Sequence, residues 1–75
     1  MRVLVEVTLE GGECVRLGFL ASGAIHKIIR QAINPERRPR FYTMHTESGH
    51  LVGVGVRRGV GWSQELVKNV LRHTP

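Results

Sequence analysis

Residues 2–9 place the strongest constraint on how this chain can fold. Apolar side chains stand at every second position of the segment, at Val3, Val5, Val7 and Leu9. This alternation is typical of a β-strand that buries one face, and Leu4 alone interrupts it. The sequence therefore opens with a strand that needs a sheet beside it and a layer of structure over its apolar face.

The segments after this strand predict a hairpin and then a helix. The turn at 10–13 carries two glycines, and a short apolar run at 14–19 follows it, which indicates a β-hairpin. Ser22 can cap a helix that reaches Ile33, because apolar residues recur there on one face. That apolar stripe consists of Ala24, Ile25, Ile28, Ile29, Ala32 and Ile33.

The second half of the chain repeats the order of strand, strand and helix. Extended patterns at 40–45 and 51–57 predict two strands joined by a short turn. Gly53 and Gly55 share one face of the second of these strands, so another group can approach the backbone closely there. Ser63 can cap a last helix, whose apolar stripe is Leu66, Val67, Val70 and Leu71.

Together these elements predict a single α+β domain over residues 1–75. Their order is ββαββα, with two helices on one face of an antiparallel sheet of three to four strands. A chain of 75 residues has room for one small domain, which excludes a multidomain enzyme. Hydrophobic residues make up 41% of the chain, which is too many for a disordered protein.

The charge balance predicts a polyanionic partner. Lys and Arg number 11 against six acidic residues, all of them Glu, for a formal net charge of +5. For any single basic residue, a solvated surface position is the competing explanation. As a group, however, the basic residues of the first helix and of two connecting segments could form one track for phosphates. They are Lys27, Arg30, Arg37, Arg38, Arg40, Arg57 and Arg58.

Four segments that cover nearly the whole chain resemble one protein family in their order and spacing. They read RVLVEV with LEGG, LASGAIHKII, PRFYTM, and the glycine and valine run before the last predicted helix. They resemble the N-terminal part of the CRISPR repeat-cleaving endoribonucleases, in the RAMP superfamily of RNA-binding domains. The resemblance implies a ferredoxin-like fold and the binding of RNA in antiviral defence.

The resemblance also implies two catalytic residues, His26 and Arg40, and Tyr42 is a third candidate on the chemistry of its own side chain. His26 corresponds to the general acid/base of metal-independent RNA cleavage, in which a 2′-hydroxyl attacks the adjacent phosphate and protons move near neutral pH. Arg40 would stabilise charge on the scissile phosphate, and Tyr42 would act as an acid/base or stack on a base. The competing interpretations are that His26 lies at the edge of the helix stripe without a role, and that Tyr42 packs in the core with its neighbours.

This chain departs from the family pattern in two respects. Family members usually carry two ferredoxin-like domains and a glycine-rich loop near the C-terminus, whereas this chain stops one strand short of a single ferredoxin-like domain. The strand at 14–19 could fill the empty place beside the first strand. Alternatively, a second copy of the chain or a partner protein would complete the sheet or the RNA surface, so a homodimer or a larger assembly is expected.

The sequence also excludes several kinds of site. Cys14 is the only cysteine, so neither an internal disulfide nor a thiolate zinc site is expected, and the composition suits the cytoplasm. The chain has no Asp and no metal-binding motif, and its glycines do not form a phosphate loop, so no metal and no cofactor are predicted. It carries no apolar run long enough to span a membrane and no secretion signal.

Three functions remain open at this point. The first is an RNA-binding, CRISPR-associated protein that cleaves repeat RNA without a metal ion. The second is a non-catalytic RNA-binding module, or an assembly or inhibitory module, that docks on a CRISPR or other ribonucleoprotein complex. The third is a regulatory protein that adds its open sheet edge to a partner complex. Because 75 residues provide few walls for a preorganised pocket, the sequence leaves catalysis undecided.

Overall fold

The computed structural model describes residues 2–34 and 36–66. Within them the chain forms five strands and one α-helix in the order ββαβββ. The elements are β1 (Arg2–Leu9), β2 (Cys14–Ala21), α1 (Ile25–Ala32), β3 (Pro39–His45), β4 (Leu51–Arg58) and β5 (Gly61–Leu66), and a 3-10 helix at Ser22–Ala24 leads into α1. No helix in this part of the chain is long and apolar enough to cross a membrane.

The five strands form one sheet in the order β2-β1-β3-β4-β5, and every neighbouring pair is antiparallel. The pairs β1–β2, β3–β4 and β4–β5 are hairpins, while α1 connects β2 to β3. Since β2 and β3 lie on either side of β1 and run parallel to each other, α1 has to cross over β1. The segment at 14–19 therefore lies beside the first strand, in one of the two arrangements that the sequence allowed.

The core lies between α1 and the face of the sheet beneath it. The alternating residues of β1 are all buried, which confirms the strand predicted at 2–9. Tyr42 and Met44 of β3 join them, and the predicted apolar stripe adds Ile25 and Ile29 from α1 and Ile33 directly after it. Burying an aliphatic side chain of this size contributes about 1.5–3 kcal/mol, so these residues are the main source of stability.

The glycines of β4 make room for the largest buried side chains. Gly55 pairs with Tyr42 and Gly53 pairs with Met44 across the β3–β4 hairpin. A Cβ atom on either glycine would overlap the side chain opposite it. The predicted close approach at the glycine face is therefore confirmed, and the groups that approach are the Tyr42 ring and the Met44 methyl group.

The predicted ferredoxin-like ββαββα fold is wrong. Where the sequence indicated a second helix from Ser63, the structure has β5, which extends the sheet to five strands by pairing with β4. The open edge of β4 offers residues 61–66 a complete hydrogen-bond ladder, which a short isolated helix cannot match. Residues 67–71, which carry most of the predicted second stripe, lie outside the described residues.

The start of the first helix also differs from the prediction. Ser22 begins the 3-10 helix instead of capping α1, and neither helix begins with a side-chain cap hydrogen bond. The α-helical part is therefore shorter than the predicted span from Ser22 to Ile33. Its end lies one residue before the predicted end, because Ile33 is already extended, although its backbone N–H still donates to the Ile29 carbonyl.

Candidate nucleic-acid interface

A cleft of about 720 Å³ lies between α1, the loop that follows it and the β4–β5 hairpin. Its described walls combine cationic and aromatic side chains from parts of the chain that are distant in sequence. The cationic residues are Arg30, Arg37, Arg38, Arg40 and Arg57, and the aromatic ones are His26 and Trp62. Glu10 is the one carboxylate among the described lining residues.

The loop after α1 is held in place by the β1–β2 turn. The Glu10 backbone N–H donates to the Arg38 carbonyl at 3.0 Å. The Arg37 guanidinium forms an ion pair with Glu13, and the Arg37 backbone N–H donates to the Asn34 carbonyl at 2.8 Å. These contacts fix the backbone that carries two of the cleft arginines, although Arg37 shares its charge with Glu13.

The other side of the cleft is built on two strands. Arg40 precedes Tyr42 by two positions on β3 and is exposed, in contrast to the buried tyrosine. Arg57 of β4 pairs with Trp62 of β5, and its guanidinium carbon lies 5.3 Å from the centroid of the indole ring. Its Nε also donates to the Gly59 carbonyl at 2.9 Å, so this arginine is well ordered.

His26 projects from α1 onto the wall of the cleft and stacks on Trp62. The two rings are almost parallel, with an interplanar angle of 8° and centroids 5.6 Å apart. The imidazole Nε2 lies 2.7 Å from the Tyr42 hydroxyl oxygen. The imidazole is thus held at one face by the indole and at its edge by the phenol, while the residue itself remains exposed.

Tyr42 lies beneath His26 and has no exposed surface, with a relative accessibility of 0%. Gln64 of β5 donates its side-chain N–H to the phenol oxygen at 3.0 Å. The phenol oxygen accepts from Gln64, and its own proton can be donated to His26 Nε2 when the imidazole carries its proton on Nδ1. Burial raises the pKa of Tyr42, and the hydrogen bond from Gln64 opposes that rise. Tyr42 is therefore a neutral phenol that orients His26.

The structure brings together most of the residues that the sequence singled out. His26 and Arg40 line the cleft, as do Arg30, Arg37, Arg38 and Arg57. Tyr42 does not reach the cleft surface, because it is buried under the imidazole. Lys27 and Arg58 are exposed but do not line the cleft. Lys27 follows His26 directly on α1, so its side chain points about 100° away from the side of the helix that carries His26. Arg58 follows Arg57 on β4, and successive side chains of a strand point to opposite faces of the sheet.

Sequence reasoning missed several residues of this site. Gln64 was assigned to the second predicted helix, whereas it lies on β5, on the same side of the sheet as Trp62. Val60 also lines the cleft, at the tip of the β4–β5 hairpin, and is 92% exposed. The sequence feature that indicates this hairpin is Gly59, because a two-residue loop often needs a glycine at its first position. In the structure the loop is residues 59–60, and Gly59 adopts a positive φ of 59°.

The chemistry of the cleft suits an anion that carries several charges. Guanidinium groups bind phosphate through two parallel hydrogen bonds, and those of the cleft outnumber its carboxylates. Within residues 2–34 and 36–66, no three His, Cys or Glu side chains are grouped closely enough to hold a metal ion. The cleft residues themselves thus offer cationic and aromatic contacts.

No protein-family model, curated protein or solved structure matches this chain. The resemblance to the CRISPR endoribonucleases therefore stays a prediction, and the ferredoxin-like fold that it implied is the part that the structure overturns.

Proposed function

We propose that this protein binds RNA and that the arginine-lined cleft is the site for its phosphates. The observation that supports this is the convergence of five arginines from α1, the following loop, β3 and β4 on one cleft. Like charges that are held close together repel one another, and this repulsion lowers stability unless an anion compensates it. A polyphosphate chain supplies such anions at regular spacing.

RNA binding by such a cleft has a characteristic dependence on salt. Each phosphate that a cation neutralises releases a counterion, so the logarithm of the association constant falls with the logarithm of the salt concentration. For single strands the slope is about 0.7 per neutralised phosphate. An Arg-to-Ala substitution inside the cleft should therefore weaken binding and reduce the slope by about that amount.

Binding of a fluorescently labelled RNA, followed by polarisation over a range of salt concentrations, tests the proposal. Arg40→Ala should lower the affinity several-fold and reduce the salt slope. Arg58→Ala is the matched control, because it removes the same charge from an exposed position outside the cleft. If the two substitutions weaken binding equally, the basic character of the whole surface is responsible and the cleft is not the site.

RNA cleavage is a second candidate function, because His26 and Arg40 line the same cleft. In this proposal His26 moves protons for attack by a 2′-hydroxyl, and Arg40 stabilises the charge that develops on the phosphate. The substrate that the resemblance implies is CRISPR repeat RNA. Tyr42 would act through His26 by orienting its ring, since the phenol does not reach the cleft.

Incubation of the protein with end-labelled repeat RNA, with and without EDTA, tests this second function. Metal-independent cleavage predicts products that persist in EDTA and that disappear in His26→Ala. RNA that is bound but stays intact would instead support the non-catalytic alternative, in which the protein binds RNA or docks on a CRISPR or other ribonucleoprotein complex.

The predicted homodimer or partner protein remains a prediction, which the mass of the protein in solution with and without RNA would test. We also propose a cytoplasmic location, because the lone Cys14 is free and exposed and would be stable as a thiol in a reducing compartment.

A further inference from the structure

The cleft presents an ordered aromatic surface beside its arginines. His26 uses one ring face to stack on Trp62 and one ring nitrogen to contact Tyr42. The indole below it is itself fixed by the Arg57 guanidinium and is half-buried. Arg57 and His26 thus both contact Trp62, and of the two rings the imidazole is the exposed one.

Of the three aromatic rings at this place, His26 is the most exposed, and Trp62 lines the cleft as a half-buried ring. Tyr42 is completely buried, and the stacked imidazole covers part of Trp62. A planar ligand group that enters the cleft would therefore meet the free face of His26. Because the imidazole is already held by two neighbours, little conformational freedom is lost when a further ring stacks on it.

We propose that an unpaired base of the RNA stacks on His26 while the neighbouring phosphates contact the cleft arginines, so that the ligand is a single strand. This inference rests on the proposed RNA-binding function and specifies which form of RNA the site takes. Stacking on side-chain rings combined with a cationic groove is the usual way in which proteins bind single-stranded nucleic acid.

The size of the cleft agrees with this ligand. A cleft of about 720 Å³ is in the range of sites that enclose a small molecule, and a nucleotide is a ligand of that size. A duplex keeps its bases stacked inside and presents phosphates and groove edges, so it cannot offer a base face to His26. Single strands, loops and bulges can do so.

The first test compares RNAs that differ only in pairing. A labelled single-stranded RNA and the same RNA annealed to its complement are titrated with the wild-type protein at one salt concentration. We expect the single strand to bind at least about fivefold more tightly, the lower limit of what one base stack contributes. If the duplex binds equally well or better, the stacking proposal is wrong, although RNA binding itself is then established.

The second test separates stacking from the other properties of His26. His26→Ala removes the ring and should weaken single-strand binding by about 5- to 150-fold. His26→Phe restores a flat ring without a charge or a titrating nitrogen, so it should recover most of the lost affinity. Lys27→Ala is the control for losing an exposed side chain of the same helix outside the cleft. If His26→Phe binds as poorly as His26→Ala, stacking is not the interaction.

The third test observes the base directly. An RNA that carries 2-aminopurine at one position loses fluorescence when that base stacks on a ring, and the quenching should be strong in wild type and in His26→Phe but absent in His26→Ala. Retained quenching in His26→Ala would overturn the proposal.

If Arg40→Ala lowers the affinity while the His26 variants bind as wild type does, the stacking inference fails and the RNA-binding function stands. If no RNA binds to the wild type, the proposed function itself fails.

Discussion

Replacing Gly55 with alanine tests the packing that places Tyr42 beneath the cleft. The added methyl group would overlap the Tyr42 ring, which lies directly opposite on the neighbouring strand. The ring has no exposed surface, and its hydroxyl group contacts both His26 and Gln64. It therefore cannot move aside without breaking these contacts.

The size of the effect follows from these contacts. Adding a methyl group to a well-packed core lowers stability by about 1–3 kcal/mol, and each hydrogen bond lost contributes about 1 kcal/mol more. We expect Gly55→Ala to lower the free energy of unfolding by about 2–4 kcal/mol. Since a domain of this size has a total stability of about 4–11 kcal/mol, this loss is a large fraction of it.

Urea unfolding followed by the fluorescence of Trp62, the single tryptophan, measures the loss. With an m-value of about 1–2 kcal/mol/M, the unfolding midpoint of Gly55→Ala should fall by at least about 1 M. Gly11→Ala is the control, because a Cβ at Gly11 meets no atom within 4 Å. This variant should stay within about 0.5 kcal/mol of the wild type.

A double-mutant cycle shows whether the Tyr42 ring is the cause. In a Tyr42→Leu background the methyl group of Gly55→Ala has no ring to meet, so the second substitution should cost at least about 1 kcal/mol less than it does alone. If the losses in the free energy of unfolding from the two substitutions simply add, the Tyr42 ring is not the cause. The reasoning is also refuted if Gly55→Ala is as stable as Gly11→Ala.

Three further predictions concern the same core. Tyr42→Phe removes the oxygen that His26 and Gln64 share and should lower the free energy of unfolding by about 1–2 kcal/mol in urea titrations; an unchanged midpoint would contradict the hydrogen-bond network. Because burial raises the pKa of Tyr42 above its usual 10.0, its contribution to stability is complete below pH 10 and is lost as the pH rises through the folded-state value. Wild type should therefore lose more stability than Tyr42→Phe between pH 9 and pH 12 in unfolding titrations, and parallel profiles would be evidence against this. Ile29→Ala should cost about 2–5 kcal/mol in thermal unfolding, since the side chain is 2% exposed, and a loss below about 1 kcal/mol would mean that α1 does not cover the sheet.

The sequence predicted correctly those elements in which the spacing of apolar residues within the segment marks a buried face. The alternation of β1 and the isoleucine stripe of α1 each mark a face that must be buried, and both faces meet in the core. Gly53 and Gly55 also carried usable information, because two glycines on one strand face left room for larger groups. Their partners, Tyr42 and Met44, were not identifiable without the strand register.

The second helix was predicted wrongly because the spacing of apolar residues within one segment does not show which strand that segment can pair with. Residues 61–66 pair with β4, and Gln64 lies on the same side of the sheet as Trp62, where a polar residue interrupts the apolar alternation of the strand. Gln64 is itself exposed, and its side-chain N–H reaches down to the buried Tyr42 hydroxyl group, which accepts the hydrogen bond.

The same limit applies to the candidate site. Composition and motif order drew attention to the basic residues and to His26, but only the sheet register separates Arg57, which lines the cleft, from Arg58, which does not. The contact between His26 and Tyr42 joins residues 16 positions apart on different elements. No pattern in the sequence indicates that one of them orients the other.

The most direct test of the central claim is to map where RNA binds by NMR. Titration of isotope-labelled protein with a short single-stranded RNA should shift the signals of the Trp62 indole, the His26 ring and the Arg38 and Arg57 side chains, and leave Arg16 on β2 unaffected. Shifts confined to β2 or to the face of the sheet opposite α1 would contradict the proposal that the arginine cleft is the RNA-binding site.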